Sequence, residues 1–307
     1  MAWSTPFKTV LGGSFADGTS TWFHDGKLNV AFNCIDRHVQ AGNGDRVALL
    51  WEGDEPGENR KITFSQLLEE VCKVSAMIQS FHLDNKKDTV TIYMPMIPET
   101  VFVMLACARL GIPHNVVFAG FSAESLRDRI VNAKSALVFT ADFGKRGGKK
   151  IPLKKVVDEA LVGIESIVKH LIVYYRGDEP GAADENSVEE PVKSMAWNSA
   201  MKEFSHVKFV EPVEVDSEHP LFLLYTSGST GKPKGRLHTS GGYLTYAAFT
   251  TRKSCVLHPE KGDIFGCLAD VGWITGHTYI VYGPLALGST TVLFESIPTY
   301  PNPSRYW

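Results

Sequence analysis

Residues 225–235 read Tyr-Thr-Ser-Gly-Ser-Thr-Gly-Lys-Pro-Lys-Gly and follow four apolar residues at positions 221–224. The glycines let backbone N–H groups approach an anion, the hydroxyls add donors, and the lysines add positive charge. The apolar run is typical of a buried strand that ends where the loop begins. The stretch therefore predicts a phosphate-binding loop at a strand end, with a nucleoside triphosphate as its ligand.

The spacing of this loop separates it from the commoner phosphate motifs. A Walker A loop carries Ser or Thr directly after its lysine, whereas Lys232 is followed by Pro233. The GxGxxG signature of dinucleotide-binding folds is also absent from this stretch. An ordinary flexible Gly/Ser linker is the alternative, but such a linker seldom follows four apolar residues or carries two lysines around a proline.

The composition describes a globular chain with no general attraction to polyanions. Of its 307 residues, 44% are hydrophobic, which is enough for one large or two modest domains. The net charge of −3 gives no reason to expect nucleic acid or an anionic membrane as a partner. The longest apolar segment, residues 101–110, contains Arg109 and is too short to span a bilayer.

The five cysteines predict neither a disulfide framework nor a metal site. They stand at positions 34, 72, 107, 255 and 267, an odd number with no Cys-x-x-Cys pair. The first residues lack a basic start followed by an apolar stretch, so a secretory signal is not expected. A cytoplasmic protein is the prediction, although an organellar form without its presequence would have the same pattern.

From residue 61 onward, strand and helix patterns alternate. Strands are predicted at residues 89–94, 116–118, 136–140, 171–175, 221–226, 264–269 and 290–294, and helices begin near Ser65, Glu99, Ser122, Pro152 and Thr239. Such alternation is typical of a layered α/β fold with mostly parallel sheets. We predict an N-terminal arm (1–45), a first α/β subdomain (46–215) and the start of a second (216–307), with a solvated acidic loop at 178–190.

The loop at 225–235 resembles the phosphate loop of the adenylate-forming enzyme superfamily. Residues 26–38, 51–55, 270–277, 282–285 and 298–307 are similar to the AMP-forming acetyl-CoA synthetase family. The resemblance implies the large-domain fold of that superfamily, incomplete at the C-terminus. It also implies an acid–thiol ligase that converts acetate, ATP and CoA into acetyl-CoA, AMP and pyrophosphate.

The resemblance assigns the phosphate loop to pyrophosphate stabilisation, because developing negative charge needs positioned N–H donors and lysine. Thr226 and Lys232 are the predicted catalytic residues. The nucleotide-binding residues would be Thr226, Ser227, Gly228, Ser229, Thr230, Gly231, Lys232 and Lys234. Arg236 departs from the family's small aliphatic residue and is expected to point to solvent.

The segment 270–277 (Asp-Val-Gly-Trp-Ile-Thr-Gly-His) follows a predicted strand, where α/β sheets bind ligands. The resemblance implies that Ile274 and Thr275 form a small acyl pocket and that Trp273 flanks the acyl and CoA channel. Core packing is the alternative role for Trp273, and for His277 a ligand role and a structural role are equally open.

Residues 145–155 carry six basic residues and no acid. A run of this kind is usually a solvated surface. The resemblance implies instead that Arg146 and Lys149 bind the 3′-phosphate of CoA, and that Gly120 lets the pantetheine pass close to the backbone.

The predicted substrates are acetate, ATP and CoA, with no nucleic-acid or membrane partner. Mg²⁺ is an expected cofactor, but its ligand, the ribose-binding aspartate and the lysine of the C-terminal domain would lie beyond Trp307, so this chain alone is expected to be inactive. The alternatives are an inactive CoA- or nucleotide-binding fragment and a propionyl- or acetoacetyl-type ligase. A kinase is disfavoured because the chain has no His-Arg-Asp loop.

Overall fold

The structure, a computed structural model, describes residues 1–177, 190–226, 233–255 and 257–306. Its strands are β1 (Thr9–Gly12), β2 (Thr21–His24), β3 (Lys27–Leu28), β4 (Val47–Glu52), β5 (Asn59–Thr63), β6 (Thr89–Tyr93), β7 (His114–Val116), β8 (Ser135–Ala141), β9 (Gly144–Arg146), β10 (Lys149–Ile151), β11 (His170–Tyr174), β12 (Ser194–Ala196), β13 (Val215–Asp216), β14 (Pro220–Thr226), β15 (Lys234–Thr239), β16 (Ile264–Gly266) and β17 (Thr290–Phe294). Its α-helices are α1 (Phe64–Ser80), α2 (Pro98–Leu110), α3 (Ala123–Ala133), α4 (Leu153–Leu161), α5 (Trp197–Glu203), α6 (Ser240–Lys253), α7 (Ile274–Gly276) and α8 (Gly283–Leu287). Helical turns of π or 3₁₀ type cover Phe32–Asp36, Val39–Asn43, Pro259–Lys261, His277–Tyr282 and Pro303–Tyr306.

A large sheet within the described residues has the strand order β12-β11-β8-β6-β7-β14-β15. Every neighbouring pair in it is parallel except β14 and β15, which form an antiparallel hairpin. The central strands β6 and β8 are buried along their whole length, as parallel strands covered on both faces must be. The predicted α/β fold with a mostly parallel sheet is confirmed.

A smaller sheet has the order β16-β17-β4-β5, with β16, β17 and β4 parallel and β5 antiparallel. It therefore joins β4 and β5, near the start of the chain, to the last strands. The prediction that residues 221–226 belong with the later strands is wrong, since β14 pairs with β7 in the large sheet. Both sheets thus draw strands from either side of residue 215, while the division into subdomains stays a prediction.

Side-chain hydrogen bonds cap the starts of α1 and α3. The helix predicted to begin near Ser65 is capped two residues earlier, because Thr63 Oγ1 accepts from the Gln66 N–H and Gln66 Oε1 accepts from the Thr63 N–H. This reciprocal pair is a capping box. The helix starts predicted near Ser122 and Thr239 match α3 and α6, and Ser122 Oγ accepts from the Ser125 N–H, whereas Thr239 forms no side-chain cap bond.

Helix α2 is buried at every position and packs against α1 and the large sheet. Its one cation, Arg109, is fully buried and binds both carboxylate oxygens of Asp36 at 2.8 and 2.9 Å. Arg109 Nε donates to the Val210 carbonyl at 2.6 Å. A buried charge requires such pairing, and this one ties α2 to the N-terminal arm. None of the helices that the structure describes is both long and apolar enough to cross a membrane.

Candidate active site

A cavity of about 430 Å³ opens where the carboxyl ends of strands from both sheets meet. The segments after β6, β7 and β8 approach it from the large sheet, and those after β16 and β17 from the smaller one. The chain passes from β6 to β7 on one side and then to β8 on the other, so β6 lies at a switch point, where α/β sheets bind ligands. The cavity is lined by Pro95, Met96, Phe118, Ala119, Gly120, Gly144, Lys145, Arg146, Ile151, Leu153, Leu268, Ala269, Asp270, Trp273, Thr275, Phe294, Glu295 and Ser296.

The cavity brings together four residues that were predicted from separate parts of the sequence. Gly120, Arg146, Trp273 and Thr275 all line it. Lys149 lies beside Arg146 on the neighbouring strand and is exposed. Two residues predicted to bind CoA, Gly120 and Arg146, therefore share one opening with part of the segment predicted to bind the acyl group.

Ile274 lines a different cavity from Trp273 and Thr275. It lines a second, more apolar cavity of about 690 Å³, together with Tyr243, Tyr246 and Phe249 of α6. Ile274 begins the short helix α7, in which successive side chains point about 100° apart. Ile274 and Thr275 consequently do not line a common pocket within the described residues.

The predicted phosphate loop is described only at its two ends. Thr226 ends β14 and Lys234 begins β15, and the two exposed residues are direct partners across the hairpin. Ser227, Gly228, Ser229, Thr230, Gly231 and Lys232 lie outside the described residues. Because β14 is parallel to β7, Thr226 stands at the same edge of the sheet as the segment that contains Gly120.

The basic segment forms a tight hairpin, β9 and β10, in which Arg146 and Lys149 are cross-strand partners. Gly147 and Gly148 connect the strands with φ of +62° and +76°. Positive φ at both central residues is the requirement of the turn that suits the twist of a two-residue hairpin. Because directly opposed residues project to the same face, the hairpin presents both cations together.

A buried carboxylate holds the turn of this hairpin. The N–H groups of Gly147 and Gly148 donate to Asp54 Oδ1 and Oδ2, each at 2.7 Å. Asp54 follows β4 and is fully buried, and Ser296 Oγ donates to its Oδ1 at 2.5 Å. Side chains that follow the carboxyl ends of both central strands of the smaller sheet, β4 and β17, therefore fix the position of the turn.

Aromatic rings form one wall of the cavity. The Trp273 ring lies 5.9 Å from that of Phe118 and 6.0 Å from that of Phe121, measured between centroids. The guanidinium carbon of Arg146 lies 5.2 Å from the Phe118 centroid, within the range of a cation–π contact. A Cβ at Gly272 would come within 2.9 Å of the Phe118 backbone, so the two segments can meet only with glycine there.

Two acids on the cavity wall have pKa values that burial raises. Burial raises the pKa of Asp270, although its Oδ1 accepts from the Gly272 N–H at 2.7 Å. Burial also raises the pKa of Glu295, against the opposing effect of the Arg176 guanidinium that it binds with both oxygens. Glu295 Oε1 also accepts from the Lys145 N–H at 3.3 Å.

His277 lies in the core beneath the 270–277 segment, not on the cavity wall. Its ring is fully buried, stacks on that of His114 at 5.9 Å and lies 4.4 Å from the Phe222 ring. Its Nδ1–H donates to the Trp273 carbonyl at 3.2 Å. The structural role that the sequence left open for His277 is the one its position favours.

The sequence reasoning assigned no individual role to Asp54, Asp270 or Glu295. Asp270 and Glu295 line the cavity, as does Phe118 of the loop expected to assist CoA binding, and Asp54 anchors the hairpin beside it. A signal was present, since Asp270 and Glu295 each follow a predicted strand, where ligand-binding side chains collect.

Sequence comparisons give the chain a family. The profile of AMP-binding enzymes matches residues 36–307. The chain belongs to this family. The profile of the acetyl-coenzyme A synthetase N-terminus matches residues 1–34 of this AMP-binding enzyme.

Similar proteins of this family are named acetyl-coenzyme A synthetase. The one from Phycomyces blakesleeanus is 50% identical over 100% of this chain and 44% of its own length. The one from Methylorubrum populi is 51% identical over 99% of this chain and 46% of its own length. The acetyl-coenzyme A synthetase 2 of Eremothecium gossypii is 49% identical, with 99% of this chain and 43% of its own length covered. The chain therefore spans less than half the length of these relatives.

Proposed function

We propose that the protein to which this chain belongs is an AMP-forming acetate–CoA ligase. The proposal rests on one observation: over its whole length, the chain is about 50% identical in sequence to enzymes named acetyl-coenzyme A synthetase. In this reaction an acetate oxygen attacks the α-phosphorus of ATP and pyrophosphate leaves. The CoA sulfur then attacks the acetyl carbon of the adenylate, AMP leaves, and the thiol proton is released. A cytoplasmic location is part of the proposal.

The loop at residues 226–234 is proposed to stabilise the pyrophosphate that leaves. Thr226 and Lys234 stand at the sheet edge that also carries the cavity, which supports the assignment. Thr226 and Lys232 would be the catalytic residues, with the hydroxyls and backbone N–H groups between them as further donors.

The cavity is proposed to receive CoA from the side of the basic hairpin. Arg146 and Lys149 would bind the 3′-phosphate, because paired cations on one face suit a dianion. Gly120 would border the pantetheine, and a Cβ there would come within 2.4 Å of the Phe118 ring. Trp273 and Thr275 lie across the same cavity, so the thiol would reach the acyl group near them.

Mg²⁺ is proposed to be held by residues beyond this chain. In the part of the chain that the structure describes, no group of three or more His, Cys, Asp or Glu side chains could hold a metal ion. No step of the proposed reaction is therefore assigned to a metal ligand in this chain.

Acetate-dependent exchange of pyrophosphate into ATP tests the ligase proposal. The complete open reading frame, established by sequencing the transcript across the codon for Trp307, should yield a protein that catalyses this exchange. Exchange that requires propionate or acetoacetate instead would show that this other acid, and not acetate, is the substrate. No exchange with any acid, together with calorimetric binding of CoA or ATP, would favour the second candidate, an inactive binding module.

The CoA assignment predicts a specific loss on replacing Arg146 with alanine. In calorimetric titrations of the 307-residue chain, we expect the Kd for CoA to rise about tenfold or more, because a charge-assisted contact to the 3′-phosphate is lost. The Kd for 3′-dephospho-CoA should be nearly unchanged. Lys155→Ala, which changes an exposed cation outside the hairpin, is the matched control, and equal losses in the two variants would contradict the assignment.

A further inference from the structure

Asp54 is a fully buried acid whose hydrogen bonds come from neutral groups. Within the described part of the chain, the donors to its carboxylate are two backbone N–H groups and one hydroxyl, with no cation among them. An unpaired buried carboxylate is costly, and hydrogen bonds from neutral groups are what compensate it here. The turn of the hairpin therefore depends on this one side chain.

The hairpin turn uses both carboxylate oxygens of Asp54. Gly147 and Gly148 are consecutive residues with positive φ, and their N–H groups converge on different oxygens of Asp54. An asparagine at position 54 would keep one acceptor and place an NH₂ group against the second N–H. The turn could then keep only one of its two bonds.

The turn is also closed in by side chains from the segment after β17. A Cβ at Gly147 would come within 2.8 Å of Ile297, and one at Gly148 within 2.8 Å of Tyr300. Tyr300 Oη in turn donates to Glu55 Oε1 at 2.8 Å. The backbone of the turn is thus pressed onto Asp54, and its N–H groups are not available to a ligand.

Two further acids, Glu58 and Glu295, contact Lys145 on the inner side of the hairpin. Lys145 Nζ lies 2.5 Å from Glu58 Oε1, and the Lys145 N–H faces Glu295. Among the residues that the structure describes, neither Arg146 nor Lys149 forms an ion pair. The acids thus hold the inner side of the hairpin and leave the two outer cations for a ligand.

We infer that Asp54 is a positioning residue that holds the Gly147–Gly148 turn so that Arg146 and Lys149 face one phosphate together. The inference rests on the proposed function, since that phosphate is the 3′-phosphate of CoA. Asp54 acts through the hairpin and does not touch the ligand. Its loss should therefore remove selectivity for the phosphate rather than binding as a whole.

Calorimetric titration of the 307-residue chain with CoA and with 3′-dephospho-CoA tests this role. For Asp54→Asn, we expect the preference for CoA to fall about tenfold while the Kd for 3′-dephospho-CoA changes less than about twofold. Ser296→Ala removes one of the three donors to Asp54 and should lower the preference for CoA about threefold. Asp45→Asn makes the same chemical change at an exposed site and should bind like the wild type.

Each outcome decides a separate question. A wild-type chain that binds both nucleotides equally overturns the proposed role of the hairpin, and the positioning role with it. A wild-type preference that survives in Asp54→Asn overturns the positioning role alone. If circular dichroism shows that Asp54→Asn does not fold, Ser296→Ala provides the test instead. A preference for CoA in Ser296→Ala as large as that of the wild type would then overturn the inference.

Hydrogen exchange gives a second readout that a general loss of stability would not reproduce. In Asp54→Asn, amide protection should fall in residues 144–151 while the strands β6 and β8 keep theirs. Protection that falls equally in the hairpin and in those strands would show that Asp54 is only a stabilising residue.

Discussion

Replacing Arg109 with alanine is expected to lower the free energy of unfolding by about 3–5 kcal/mol, because it leaves the buried carboxylate of Asp36 without its partner. Both side chains are almost inaccessible, at 0% and 1% exposure. The substitution also removes the donor to the Val210 carbonyl. Urea denaturation followed by circular dichroism and tryptophan fluorescence measures the change.

The cost should come from the unpaired charge more than from lost attraction. The double variant Arg109→Met with Asp36→Leu removes both charges and should recover most of the lost stability, because buried ion pairs can often be replaced by apolar pairs of similar volume. Arg252→Ala breaks a solvent-exposed pair with Glu260 and should have a far smaller effect. A double variant as unstable as Arg109→Ala would contradict this explanation.

Arg109 also shows what the sequence could and could not predict. The apolar run at 101–110 predicted a buried helix, and the structure has α2 there. The partner of its charge is Asp36, far away in the chain, and no local pattern connects the two. Burial is visible in a sequence because it sets periodicity, whereas pairing depends on how separate elements pack.

The strands follow the same rule. Their positions were largely predictable because runs of β-branched and apolar residues mark them. Their sheet membership was not, since β4 (Val47–Glu52) pairs with β17 (Thr290–Phe294), while β14 (Pro220–Thr226) joins the large sheet. Parallel pairing between distant segments is fixed by tertiary packing, so the grouping of residues 221–226 with later strands failed.

The residues of the candidate site likewise differ in how far they could be predicted from the sequence. Arg146 and Gly120 were assigned through the family resemblance of a basic run and a glycine-containing loop, and both line the cavity. Asp54 was not assigned, since its partners are backbone N–H groups of a distant turn. Ile274 and Thr275 were assigned to one pocket through the same resemblance, but a helical turn directs them into different cavities.

Acid is expected to destabilise the fold through the stacked pair His114 and His277, which lies beneath the site segment. Burial lowers the pKa of His277 from 6.5 to about 4 and lowers that of His114 well below 6.5. Below about pH 6.5 the unfolded chain therefore binds protons at these positions that the native state does not. The free energy of unfolding should therefore fall as the pH is lowered from about 6 towards 4, with both histidines contributing to the slope.

The variant His277→Gln isolates this contribution from that of the carboxylates, which titrate in both proteins. Its slope between about pH 6 and 4 should be clearly smaller than that of the wild type, because one of the two protonation differences is removed. His206→Gln, at an exposed position, should leave the slope unchanged. Urea denaturation at a series of pH values measures both, and parallel profiles for His277→Gln and the wild type would refute the prediction.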